Sequence, residues 1–215
     1  VDIELERHIY KAFGDLRGAA VVHDINTNEI LALVSKPSFN PNDFSKSMSA
    51  KKWRNISSKP NKPFLDRAFL SSNPPGSIIK IVTAIAALEE GVINKDTKHY
   101  CKGYYVLGGR KFRCWKQGGH GKVDVVNALI TSCDVFFYKV GLSLGIKDYS
   151  KWLAFFGFGD KTKLPFSQNP GVIPNKKFID KYLKGKWYKG DMAVSYTHLR
   201  AHETKANLVC RVLLE

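Results

Sequence analysis

No apolar run in this chain is long enough to cross a bilayer. No signal peptide opens it either: the first residue is Val1, which leaves room for an anchor upstream. There is no internal repeat. Acidic residues are scarce, 19 against 34 lysines and arginines, giving a formal net charge of +15. Such a balance suits nucleic acid, a membrane surface or an acidic polymer as a neighbour. The basic residues are scattered, however, as in Lys51-Lys52-Trp53-Arg54 and Lys176-Lys177. No stripe interleaved with aromatics stands out, so the charge reads as a solvated face and argues against a nucleic-acid binder. Cysteine is limited to Cys101, Cys114, Cys133 and Cys210, three of them in one short stretch.

The 215 residues, 44% of them apolar, suffice to bury a core and suggest one domain or part of one. Ala19–Ile25 and Ile30–Ser35 are rich in Val, Ile and Leu and read as strands. Asn26-Thr27-Asn28 supplies the turn of a hairpin. Residues 42–73 are polar and basic, with Pro60 and Pro63, and read as a long surface excursion. After Pro74-Pro75-Gly76-Ser77, the run Ile78–Glu90 is apolar nearly all round, as in a helix buried in a core. Gly91 stops it. Val123–Leu129 reads as a helix start, Val135–Leu144 as a helix ended by Gly145, and Tyr149–Phe156 as a short amphipathic helix. Residues 157–190 are loop-rich.

Ser77-Ile78-Ile79-Lys80 is an S-x-x-K pattern at the start of that helix. Residues three apart share a helix face, so the lysine amine reaches toward the serine hydroxyl. A serine hydroxyl is a poor nucleophile until a base takes its proton. A lysine is such a base only after desolvation or a neighbouring cation has weakened its hold on a proton. Ile78, Ile79, Ile81 and Val82 around Lys80 offer that environment. The helix N-terminus adds backbone N–H donors for an oxyanion. The plain alternative is an N-cap serine and a surface lysine, yet a charge inside this apolar run is costly without a purpose. Ser132-Cys133-Asp134 precedes the next helix and matches the S-x-[ND] element that accompanies S-x-x-K in penicillin-interacting serine enzymes. Ser132 would relay the proton to the leaving group, and Asp134 would bond Lys80 or the substrate amide. By itself it would read as an ordinary N-cap pair.

With these motifs in order, the chain resembles the class B penicillin-binding proteins, and among them the penicillin-binding protein 2 group. Arg17–Val22 with Glu29–Ser35, Asp66-Arg67-Ala68, Pro74–Lys80, Phe112–Lys116, Gly119-His120-Gly121, Ser132–Tyr138, Phe156–Gly159 and Trp187–Asp191 carry the resemblance. It implies an α/β transpeptidase fold of the penicillin-binding-protein and β-lactamase type, an antiparallel sheet with flanking helices. It implies a peptidoglycan D,D-transpeptidase of cell-wall elongation, with Ser77 acylated by D-Ala-D-Ala stem peptides and by β-lactams. It further implies the periplasmic face of the inner membrane, a membrane anchor and elongation-machinery partners, and no organic cofactor.

The family's third motif, K-T/S-G, is missing. Lys161-Thr162-Lys163 lacks the glycine and follows Phe156–Gly159, where the family has a connecting loop. The motif is expected downstream, so the fold is expected to be incomplete, with part of the Ile78–Glu90 helix left facing water. Residues 1–193 read as a partial transpeptidase domain, and this fragment alone as inactive. Residues 194–215 do not resemble the family. Val194–Thr204 reads as a translated transposase-type sequencing adapter, and Asn207–Arg211 matches the adapter's far end. Without residues 194–215 the charge is 31 basic against 17 acidic residues, or +14.

Cys101, Cys114, His120 and Cys133 form C-x12-C-x5-H-x12-C. Three thiols and an imidazole suit a closed tetrahedral zinc site, although the spacing matches no common finger. The resemblance implies a structural zinc here, at positions that correspond to mixed Asp, His and Cys ligands in relatives. A Cys101–Cys114 disulfide, expected of an extracytoplasmic protein, is the alternative. For function, two further readings stay open: a β-lactam-sensing domain that is acylated without turnover, and a serine β-lactamase. The latter needs a deacylating carboxylate on a loop, and none is identifiable.

Overall fold

The computed structural model describes residues 1–45, 47–71, 75–175 and 180. Pro74, Lys176-Lys177, the Trp187–Asp191 segment and residues 194–215 lie outside the described residues. The described chain falls into two compact units, residues 1–71 with 162–169, and residues 75–161 with 170–175.

The first unit begins with helix α1 (Ile3–Ala12), capped by the Asp2 carboxylate, which accepts from the Glu4 and Leu5 N–H groups at 2.9 and 3.0 Å. Strands β1 (Gly18–His23) and β2 (Ile30–Lys36) form the expected antiparallel hairpin, with a register shift between Val22 and His23. Asp24 holds the turn by accepting from the Asn26 and Thr27 N–H groups, both at 2.8 Å. The helix covers the outer edge of β2: Asp2 N–H donates to Leu31 O at 2.6 Å, and Glu6 accepts from Leu33 N–H at 2.9 Å. That edge is thereby closed to strand addition.

The described part of residues 42–73 holds more regular structure than its polarity suggests. A 3-10 turn (Pro41–Phe44) and helix α2 (Ala50–Ser57) stand in this stretch. The Phe64 ring lies 4.9, 5.9 and 5.2 Å from those of Phe39, Phe44 and Trp53, so four aromatics spread along the chain form one small cluster. The Arg67 guanidinium ties the next turn by donating to Asn61 O, Lys62 O and Leu65 O.

In the second unit a 3-10 turn (Gly76–Ile78) leads into helix α3 (Ile79–Glu89). α3 buries Ile79, Val82, Thr83, Ala84, Ala86, Ala87 and Lys80. The apolar character all round does not translate into burial all round, because Ile78, Ile81 and Leu88 remain exposed. Two antiparallel ribbons follow. Strand β3 (His99–Cys101) pairs with β6 (Gly121–Val123), and β4 (Tyr104–Leu107) pairs with β5 (Arg110–Arg113). Helix α4 (Val125–Ile130) starts two residues later than the apolar pattern suggests. Val123 ends a strand, and Asp124 caps the helix by accepting from Asn127 N–H at 2.8 Å.

Helix α5 (Asp134–Phe155) packs along α3 and buries Phe136, Phe137, Val140 and Gly141. The alanines of α3 let the two helices approach closely. At Gly145 φ is 74°, which interrupts the helical backbone and separates the two segments expected from the sequence. The α/β class with antiparallel pairing stands, as three two-stranded sheets among the described residues.

The turn after β3 and the turn before β6 interlock through glycine. Gly119 has φ of 76°, and a Cβ there would lie 2.1 Å from Cys101 O. Gly119→Ala is therefore expected to destabilise the protein by about 3 kcal/mol. Urea denaturation measures this, and an unchanged midpoint would contradict the packing described.

Candidate active site and metal cluster

Ser77 lies in the 3-10 turn ahead of α3, with an exposed side chain. Neither this turn nor α3 has a side-chain cap at its N-cap residue, Pro75 and Ile78 respectively. Lys80, one turn on, is 2% exposed. Its amine is not stranded in an apolar wall. It donates to Asp134 Oδ1 at 2.6 Å, to Ser132 O at 2.9 Å and to Ser132 Oγ at 3.0 Å, and it lies 5.8 Å from the centre of the Phe137 ring. The three protons of an ammonium are thus matched by three oxygens. Ser132 Oγ in turn donates to Ser77 Oγ at 3.0 Å. The hydrogen-bonded connection between Ser77 and Lys80 runs through Ser132, rather than along the helix face. Asp134 serves Lys80 directly.

Ser132 reaches this position because of how α4 ends. Cys133 N–H donates to Ala128 O at 2.8 Å and Ser132 N–H to Leu129 O at 3.1 Å. This is the paired pattern of a Schellman motif, which places one residue in the left-handed region. That residue is usually glycine; here it is Ser132, with φ of 49°. The strained backbone aims the hydroxyl and the carbonyl of one residue at one amine. Cys133 then becomes the N-cap of α5, and Asp134 its first residue.

Sequence reasoning used Trp115 only as a family resemblance. The structure gives it a place in the site. Its backbone N–H donates to Asp134 Oδ2 at 3.0 Å, and its indole N–H to Thr131 O at 2.9 Å. It thus holds both ends of the Thr131–Asp134 turn. Tyr138 OH donates to Arg113 O at 3.0 Å and fixes the same loop from the α5 side. A fixed lysine-serine-aspartate pattern in sequence carries no signal for such backbone donors.

Cys101, Cys114, His120 and Cys133 converge. Each offers one ligand atom, and these atoms all lie within 4.8 Å of one another. His120 Nδ1 is 3.8 Å from Cys101 Sγ and 3.5 Å from Cys114 Sγ. The three cysteines are free and buried, so the Cys101–Cys114 disulfide is not the arrangement found. Tetrahedral ligands at zinc stand roughly 3.5–3.8 Å apart, and the set needs little contraction to fit. Burial pushes the Cys133 thiol up to about 12 and raises Cys114. At Cys101 burial also acts upward, but the N–H groups of His120 and Gly103 and the neighbouring thiols outweigh it, and the value is lowered. Burial, then Lys116, lowers His120 toward the neutral, ligating form. These donors are the right chemistry for a soft divalent ion. Cys133 lies between Ser132 and Asp134, and Cys114 directly precedes Trp115, so the cluster abuts the Thr131–Asp134 turn on both sides.

The Lys80–Asp134 pair is buried, with side chains 3% and 13% exposed. Asp134→Ala would leave the amine without its carboxylate, and a loss of about 3–5 kcal/mol is expected. Chemical denaturation reads it; a change below 1 kcal/mol would show that the amine finds another partner or sheds its charge.

The family model "Penicillin binding protein transpeptidase domain" matches residues 18–199. The chain is 36% identical over 194 residues to the peptidoglycan D,D-transpeptidase MrdA of Escherichia coli K12, covering 89% of this chain and 31% of that relative. It is 40% identical over 178 residues to MrdA of Acinetobacter baumannii, covering 81% and 26%. Among solved structures, penicillin-binding protein 2 of Pseudomonas aeruginosa in complex with WCK 5153 superposes with a TM-score of 0.86 at 30% identity, over 94% of this chain and 46% of that one. Penicillin-binding protein 2 of Helicobacter pylori gives 0.85 at 34%, over 91% and 37%. The chain spans about a third of the length of the curated relatives it matches. In sequence and in fold, it belongs to the penicillin-binding protein transpeptidase family.

Proposed function

We propose that the protein is a serine D,D-transpeptidase of cell-wall elongation, acting on D-Ala-D-Ala stem peptides and acylated by β-lactams. The observation that carries this reading is the chain Ser77 Oγ, Ser132 Oγ, Lys80 Nζ, linked at 3.0 and 3.0 Å. With Lys80 holding two protons, those go to Asp134 and Ser132 O, and its lone pair faces Ser132 Oγ. Ser77 then attacks the penultimate D-alanine carbonyl carbon, passing its proton to Ser132 as Ser132 passes one to Lys80. Backbone N–H groups at the start of α3 stabilise the oxyanion. The same route in reverse delivers a proton to the departing D-alanine amine, leaving the acyl group on Ser77. An acceptor amine resolves it. No deacylating carboxylate faces Ser77 among the described hydrogen bonds, which favours the transpeptidase over a β-lactamase. The relatives' names favour it over a sensor.

Further parts of the reading rest on relatives. A solved complex of penicillin-binding protein 2 with MreC from Helicobacter pylori supports an elongation partner for this protein too. The periplasmic face of the inner membrane, with an anchor beyond this chain, is the matching location. No helix among the described residues is long and apolar enough to cross a membrane.

A structural zinc held by Cys101, Cys114, His120 and Cys133 belongs to the same reading, supported by the convergence of four donor atoms. With four protein ligands it would supply rigidity to the Ser132–Asp134 turn, with no position left for substrate. No organic cofactor is needed.

In the complete enzyme, Ser77→Ala should abolish labelling by a fluorescent penicillin, and Lys80→Ala should reduce it by at least about 1,000-fold, since nucleophile and base act as a unit. Labelling of a folded Ser77→Ala protein at the parent level would refute the assignment. Elemental analysis of untagged protein should find one zinc per chain, lost in Cys133→Ser. Metal-free protein with Cys101 and Cys114 blocked to thiol reagents would replace the zinc by a disulfide.

A further inference from the structure

The two ribbons of the second unit gather basic and aromatic residues that look scattered in the sequence. Tyr100, Lys102, Tyr104, Tyr105, Val106 and Lys139 line a shallow cleft of about 360 Å³. Tyr100 is 64% exposed, and the β3–β6 register sets it opposite the exposed Lys122. The ammonium groups of Lys102 and Lys111 lie 4.7 and 3.8 Å from the centre of the Tyr104 ring. Lys139 donates to Tyr100 O at 3.3 Å and so stands at the cleft's floor. Among the described residues, none of Lys102, Lys111, Lys122 and Lys139 is paired with a carboxylate.

Lys102 and Lys111 bring two ammonium groups to one half-buried phenol ring, with no carboxylate paired to either among the described residues. Like charges sharing one ring repel, and the cation–π contacts offset only part of that. A ligand with carboxylates for the lysines and flat rings for the tyrosines would relieve both. We propose that this cleft and its rim bind a peptidoglycan strand, with stem-peptide carboxylates on Lys102 in the cleft and on Lys111 and Lys122 beside Tyr104 and Tyr100, and an amino-sugar face against Tyr100. The inference rests on the transpeptidase reading, which places the protein beside that acidic glycopeptide, and on charge complementarity between the cleft and the polymer. β3 ends at Cys101, a member of the cluster that abuts the Thr131–Asp134 turn. The cleft shares β3 with that cluster, and Ser77 is not among its lining residues.

The test is co-sedimentation of the complete enzyme, carrying Ser77→Ala, with purified peptidoglycan sacculi. Adding Lys102→Glu with Lys111→Glu, or Tyr100→Ala alone, should weaken binding by about tenfold. Binding of the parent should fall as salt is raised past about 0.15 M. The same variants with Ser77 intact should label with fluorescent penicillin at the parent level. Sacculus binding unchanged by either variant overturns the proposal. So does binding transferred equally to anionic phospholipid vesicles or DNA and indifferent to Tyr100→Ala, which would mark generic charge attraction. Should the double variant lose its label through misfolding, Tyr100→Ala and Lys102→Gln, both at exposed positions, decide the matter. Failure of the parent itself to label would instead sink the active-site reading, and the sedimentation result would stand apart from it.

Discussion

The buried amine of Lys80 is the constraint around which the second unit is organised. A cation in an apolar helix interface is tolerable only when its protons are all accepted. Here the acceptors come from a single turn more than fifty residues away in sequence, at Ser132 and Asp134. Satisfying the amine therefore fixes α3 against the start of α5, and it sets the Ser132 hydroxyl beside Ser77. The interaction that stabilises the helix pair is the same one that links Ser77, Ser132 and Lys80 by hydrogen bonds.

A turn with so many duties needs support from outside. The backbone of Trp115 and its indole hold the Asp134 carboxylate and the Thr131 carbonyl. The residue before it, Cys114, and the residue inside the turn, Cys133, both point into the thiol–imidazole cluster. The ribbons β3–β6 and β4–β5 are too short to stand alone as sheets. Close packing of the four cluster side chains and the interlocked turns at Gly103 and Gly119 hold them in place. Rigidity is thus supplied where the catalytic geometry asks for it.

Much of this was legible in the sequence. The hairpin was marked by two β-rich runs around Asn26-Thr27-Asn28, while the Asp24 carboxylate that holds the turn went unread. Ser77, Lys80, Ser132 and Asp134 were marked by spacing, and the break at Gly145 by a lone glycine between apolar runs. The four metal-type residues were found by residue type, even though their spacing is unfamiliar. Other features left no local trace. β3 to β6 run three or four residues each, too few for an alternation to register. The helix Ala50–Ser57 is polar and held by Phe64 and its neighbours through contacts that only folding creates. The cationic cleft draws on residues 100 to 139, so scattered charge became concentrated charge only in three dimensions. The hydroxyl bridge between Ser77 and Lys80 could not be read from helix geometry, which speaks only of residues on one element.

The left-handed backbone at Ser132 has a consequence for how this site can change by mutation. Glycine would suit that conformation better than any residue with a side chain, so the stability gradient at this position points away from function. Threonine would keep a hydroxyl but add a β-branch where the backbone already crowds Cβ. Of the residues that offer an uncharged hydroxyl on a short stem, serine alone meets both demands. The position is narrow on each side: drift toward comfort removes the hydroxyl that bridges Ser77 and Lys80, and drift toward bulk strains the turn that carries Asp134 and Cys133 with it.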